Sequence, residues 1–118
     1  MKDYRLAHFI NRTLELDLVR QEFEIEVPGP GGIQHNYLPY FSFMVEESET
    51  EIYFFANKAA FSFIIPELKE VDFFLMQSPA NHHESENNLK LLHNLDRIEN
   101  AFLLDVSILK SKENLLLF

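Results

Sequence analysis

Tyr37-Leu38-Pro39-Tyr40-Phe41-Ser42-Phe43-Met44-Val45 and Glu51-Ile52-Tyr53-Phe54-Phe55-Ala56 are two aromatic-rich runs, joined by Glu46-Glu47-Ser48-Glu49-Thr50. Aromatic and β-branched residues favour strands, and a short polar run between two such segments favours a hairpin. Strands are therefore expected at 37–45 and 51–56, with the acidic run as their turn. Upstream, Phe23-Glu24-Ile25-Glu26-Val27 alternates apolar and acidic residues strictly. That is the period of a strand with one wet face. Pro28-Gly29-Pro30-Gly31-Gly32 ends it and holds all three glycines of the chain. Prolines fix φ and glycines permit positive φ, so a turn is expected here. Downstream, Asn57-Lys58 is a shorter turn signal. Further strands are expected at 59–65, stopped by Pro66, and at 71–77.

Helical spacing flanks this core. Leu6, Phe9, Ile10 and Leu14 share one helical face, with His8, Arg12 and Glu15 opposite. Asp3 suits the N-cap. After the break Ser78-Pro79-Ala80-Asn81, residues 84–95 read as a second helix, with Leu89, Leu92 and Leu95 on one side, Leu91 beside them, and Glu84 and Glu86 in the first turn. A last strand is expected at 101–106, and the apolar tail Leu115-Leu116-Leu117-Phe118 should dock on the body. Strands in a run with segregated helices argue α+β: one domain over 1–118, a mainly antiparallel sheet of five to six strands, and two helices packed on one face. A crossover through the second helix would make the last strand parallel to its neighbour.

Twelve phenylalanines are present, and Phe41, Phe43, Phe54, Phe55, Phe61, Phe63, Phe73 and Phe74 crowd residues 41 to 74. Successive strand residues point to opposite faces. Phe54-Phe55, Phe73-Phe74 and Tyr40-Phe41 therefore put large rings on both faces of the sheet. Two helices on one face leave the other to be covered. Tyr40, Phe41, Phe54, Phe55, Phe73 and Phe74 are accordingly expected at an interface, most simply a homodimer. The alternative is a curled sheet that hides both faces within one chain.

Composition narrows the chemistry. The chain has 118 residues, nineteen Asp plus Glu against ten Lys plus Arg, a formal charge of -9, no Cys and no Trp. A cysteine-free chain has no disulfide framework and no thiolate metal site. The acidic balance argues against nucleic acid as a partner. No apolar run approaches the roughly 20 residues of a membrane span. No signal-peptide pattern opens the sequence, so a cytoplasmic protein without membrane attachment is expected. His82-His83-Glu84 with His93 lacks the i, i+4 spacing of a helical metal pair. The carboxylates of 46–51 lack the glycine of a calcium loop. Ser78 and Ser85 lie near His82 and His83, but no nucleophile elbow surrounds them. Asp72 stands between Val71 and Phe73 on an expected strand, where an ionised group is costly unless paired. Its expected role is structural. No catalytic, metal or cofactor residue is nominated, and no cofactor is expected.

Ile65-Pro66-Glu67-Leu68-Lys69-Glu70-Val71-Asp72-Phe73 resembles the signature of the bacterial IPExxxVDY family, with Phe73 where that signature ends in Tyr. Asp3-Tyr4-Arg5-Leu6 with Asn11, Leu18 and Arg20, and Leu109-Lys110-Ser111-Lys112-Glu113-Asn114-Leu115, agree with it in order. The resemblance implies an uncharacterised family, found mainly in Bacteroidetes, with no activity or catalytic residue to carry over. It also implies a strand ahead of the first helix. Here the helix pattern begins almost at Met1, which would leave a sheet edge open. Read physically, Pro66 suits the first position of a helical turn and Glu67 complements its N-terminus. Val71 and Phe73 then re-enter the sheet. Ile65, Pro66, Glu67, Val71, Asp72 and Phe73 thus form an expected structural corner. The function expected overall is a non-enzymatic interaction or regulatory module, with a small-molecule binder using an aromatic pocket between sheet and helices as the alternative.

Overall fold

The computed structural model describes residues 2–58, 63–110 and 115. Its elements are α1 (Asp3–Leu14), β1 (Val19–Gly29), β2 (Gly32–Val45), β3 (Thr50–Ala56), β4 (Phe73–Ser78) and α2 (His82–His93), with short 3₁₀ turns at Pro66–Leu68 and Val106–Ile108. The four strands form an antiparallel meander in the order β1-β2-β3-β4. The fold is α+β.

α1 forms where the 3.6 period places Leu6, Ala7 and Ile10 on one buried face, while His8, Arg12 and Glu15 are exposed. Asp3 lies inside the first turn, not at the cap; Lys2 holds that position without a side-chain bond, and the Asp3 carboxylate accepts from the Tyr4 N–H at 2.7 Å. The helix stops at Glu15, in the left-handed region with φ 56°. Asn11 then turns the chain into β1: its Oδ1 accepts from Leu18 N at 2.9 Å and its Nδ2 donates to Leu18 O at 3.3 Å.

β1 and β2 meet through Pro30-Gly31, with Gly29 opposite Gly32. Gly31 has φ 85°, the positive value that the second central residue of a Pro-Gly type II turn needs. Both strands run beyond the expected 23–27 and 37–45. β3 ladders with β2 from Tyr40 onward, so the far part of the β1–β2 hairpin extends past the sheet as a two-stranded ribbon. The molecule is correspondingly long, 48 × 28 × 27 Å.

The register confirms the two-faced placement of the aromatics. Phe41, Phe43, Ile52, Phe54, Phe73 and Leu75 pack on α1, with Leu92 of α2 and Ile98 joining the same cluster. Both helices therefore lie on one face. Arg97 adds a cation–π contact, 4.4 Å above the Phe9 ring. On the opposite face Leu38, Tyr40, Tyr53, Phe55, Phe74 and Met76 pack against Ile64, Ile65, Leu68, Leu104, Leu109 and Leu115.

Three expectations change. Phe63 makes a lone bridge to Lys58 and Ile64 and Ile65 lie in a bend, while 59–62 fall outside the described residues. The expected strand at 101–106 is irregular chain that enters a 3₁₀ turn, so no parallel pair forms there. Among the described residues the sheet has four strands, not five or six. Ile64 and Ile65 are buried by packing and not by laddering, whereas of 101–106 Leu104 packs into the core and Phe102 and Leu103 are exposed. Of the expected docking tail, Leu115 reaches the core and the last three residues lie outside the described ones.

Candidate functional site

The corner that carries the family-like motif is organised by a residue outside it. Asn57, directly after β3, has no exposed surface. Its N–H donates to the Asp72 carbonyl at 2.9 Å and its own carbonyl accepts from Ile64 N at 2.8 Å. Its side-chain Oδ1 accepts from Ile65 N at 2.8 Å, and Nδ2 donates to Leu68 O at 2.8 Å and more weakly to Ile65 O at 3.4 Å. A buried amide that uses all its groups supplies the chain at 64–72 with partners that a strand ladder would otherwise provide. Around it, Ile65 is fully buried, Pro66 starts the 3₁₀ turn, Glu67 is exposed and Val71 is half-buried. Asp72 is exposed, so no buried carboxylate stands on the strand face. Phe73 begins β4 and stacks on Phe54 with ring centroids 5.4 Å apart. The motif is a corner, as its physics predicts. Sequence reading passed over Asn57 as a turn residue; the signal was an amide wedged between two apolar runs.

The expected interface residues lie in the core. Phe41, Phe54 and Phe55 are 6%, 2% and 1% exposed. Tyr40, Phe73 and Phe74 are half-buried and packed into the two clusters. Rings meet from strand to strand: Phe54 stacks on Phe73 and tilts against Phe41 on the helix face, and Phe55 tilts against Phe74 on the other. The second face that the helices leave uncovered is closed by residues 64–68 and by Leu104, Leu109 and Leu115.

Two polar features remain near the sheet. The Tyr53 hydroxyl donates to the Glu51 carboxylate on the same strand. That bond, then burial and the nearby negative charge, push its pKa up to about 12. A cleft of about 160 Å³ opens between α2, the β2–β3 turn and the end of β4, lined among others by Leu16, Thr50, Gln77, Glu84 and Asn88. Gln77 already donates to Glu84 across it, at 2.6 Å. Ligand pockets measure roughly 300–1,000 Å³. This cleft is smaller, and no aromatic residue lines it. His82 and His83, ahead of the helix expected at 84–95, fall in the first turn of α2, where His82 pairs with Glu86 at 2.8 Å in solvent. Among the described residues no group of three His, Asp or Glu side chains is arranged to hold a metal.

The remaining feature is an edge. β1 is eleven residues long and, among the described strands, ladders with β2 alone. Its outer backbone groups face away from the sheet. Val19 on β1 and Ile33, Tyr37 and Met44 on β2 are 51%, 67%, 61% and 49% exposed. Glu22 pairs with Arg20 and Glu24 with His35, each at 2.6 Å and each about half exposed. A strand edge that is unpaired among the described residues can pair with another strand.

No family model matches the chain, and neither the curated proteins nor the solved structures compared with it gave a match.

Proposed function

We propose that this protein is a non-enzymatic interaction module that binds an extended segment of another chain by strand addition to the outer edge of β1. One observation carries the reading: an eleven-residue edge strand held from one side, in a hairpin that reaches past the rest of the sheet. Proteins usually shorten, cover or bulge such an edge, because it invites pairing. This one stays long, with one donor removed at Pro28 near its end, and its remaining length suits β-augmentation, where main-chain hydrogen bonds supply affinity. The homodimer expected through the aromatic faces has less support, since those faces are filled from within. The small-molecule alternative has less support, because among the described residues Phe41, Phe54 and Ile10 pack between sheet and helices. The acidic composition, a formal charge of -9, supports a partner other than nucleic acid. The motif at 65–73 serves it as the corner that closes the second face, and its resemblance to the IPExxxVDY signature supports a place among those proteins.

A photo-crosslinking amino acid placed at Glu22, and separately at exposed Ser107 as control, tests the site. Adducts in cell extract are expected at position 22 and not at 107. Adducts at 107 alone, or equal yields at both, refute an edge-directed module.

A further inference from the structure

The edge of β1 carries a charge pattern that selects its occupant. Its even positions are Arg20, Glu22, Glu24 and Glu26. Across the hairpin, Glu22 stands opposite Pro39 and Glu24 opposite Tyr37, so neither faces a cation directly. Arg20 reaches Glu22 along the strand and His35 reaches Glu24 diagonally. Exposed pairs of this kind neutralise little of the field, and the chain as a whole carries a formal -9.

We infer that the strand accepted by β1 is a basic extended segment of another protein, with Lys or Arg at every second position, and not a second copy of this chain. The inference rests on the strand-addition reading above. Two β1 edges paired antiparallel about a two-fold axis place residues of the same parity opposite each other. Centred on Glu24, the middle of the strand, Glu24 meets itself and Glu22 meets Glu26. Centred on residue 23, Glu22 meets Glu24; centred on residue 25, Glu24 meets Glu26. Every register centred from 22 to 26 sets at least one Glu against a Glu. Like charges directly opposite destabilise a strand pair, and opposite charges stabilise it. The pattern that repels a copy therefore attracts a strand with cations at the same spacing, which combines rejection and selection in one row of residues. It also guards the long edge against self-association, which its length would otherwise promote.

The test uses the full chain, isotope-labelled, and three short peptides that alternate Thr with Lys, with Gln or with Glu. The Lys peptide is expected to shift the amide signals of β1, and to bind about tenfold more tightly than the Gln peptide. The variant Glu22→Gln/Glu24→Gln should lose that preference while keeping its spectrum elsewhere. Glu22→Lys/Glu24→Lys should transfer it to the Glu peptide. Equal binding of the Gln and Lys peptides at β1 overturns the basic partner and leaves strand addition standing. No peptide shifting β1 overturns both. Shifts from the Lys peptide confined to the acidic turn at 46–49 also overturn the inference, as diffuse charge attraction. Sedimentation of the unmodified chain as a dimer whose formation protects β1 amides would overturn the exclusion of a second copy.

Discussion

At the scale of single residues, two polar side chains are informative. Asn57 is the partner of an irregular corner, and removing its side chain strands the amide of fully buried Ile65, while the Leu68 carbonyl keeps the Val71 N–H at 3.0 Å. An unsatisfied buried group costs about 1–3 kcal/mol. Asn57→Ala is therefore expected to lower stability by about 2–4 kcal/mol in urea unfolding, whereas Asp72→Asn, at an exposed carboxylate, is expected to change it by less than about 0.5 kcal/mol. Tyr53 has a different signature. Its folded phenol is pushed up to about 12 from an ordinary 10.0, chiefly by the bond to Glu51. Below pH 10 both folded and unfolded forms are protonated and the contribution is whole. As pH rises from 10 to 12 the unfolded chain loses the proton first, so stability falls across that window. Water reaches the hydroxyl, which keeps the effect to about 1 kcal/mol or less. Tyr53→Phe should remove the last-ionising component of the tyrosinate absorbance and flatten the stability profile above pH 10. An unchanged titration would sink the assignment.

At the scale of elements, the β1–β2 turn sets the ribbon. Gly31 sits at φ 85°, and a Cβ built there meets nothing within 4 Å. The cost of Gly31→Ala is thus a backbone cost alone, about 1–2 kcal/mol for an L-residue in the left-handed region. Gly31→Asn should cost less, because Asn tolerates that region. Both should be read by thermal unfolding. If Ala and Asn cost the same, the turn geometry described for Pro30-Gly31 is wrong. The two helices differ in kind. α1 inserts Leu6, Ala7 and Ile10 into the core, whereas α2 has no buried residue and holds its start through the Asn81 cap, whose side chain accepts from Glu84 N at 3.1 Å. Exchange of amide protons is accordingly expected to be faster in α2 than in α1.

At the scale of the molecule, the sheet is a double-sided core. Its helix face is closed by regular structure and its other face by chain without strand or helix pairing. Leu109 is 7% exposed within that second closure. Leu109→Ala is expected to cost about 2–4 kcal/mol by denaturant titration and to expose the rings of Phe55 and Phe74. An effect below about 1 kcal/mol would mean that the lid contributes little to the second face. With both faces packed by the same chain among the described residues, the proposed association rests on the edge of β1 and not on aromatic surface.

Much of the fold is local and was legible in the sequence. The 3.6 period of Leu6, Ile10 and Leu14, the alternation in Phe23–Val27, the Pro-Gly turn and the paired rings Phe54-Phe55 and Phe73-Phe74 each follow from geometry within a few residues. The acidic row of β1 was legible too, although its meaning was not, because an edge exists only once the strand order is known. Two facts were decided by tertiary structure alone. The runs at 63–65 and 101–106 are apolar enough for strands, yet the amides of Ile64 and Ile65 bond to Asn57 and residues 101–106 form irregular chain. Composition cannot distinguish burial by laddering from burial as a lid, since both bring an apolar side chain out of water. The surplus of phenylalanine therefore specified a sheet with two buried faces, while the identity of what covers the second face depended on contacts between residues far apart in the chain.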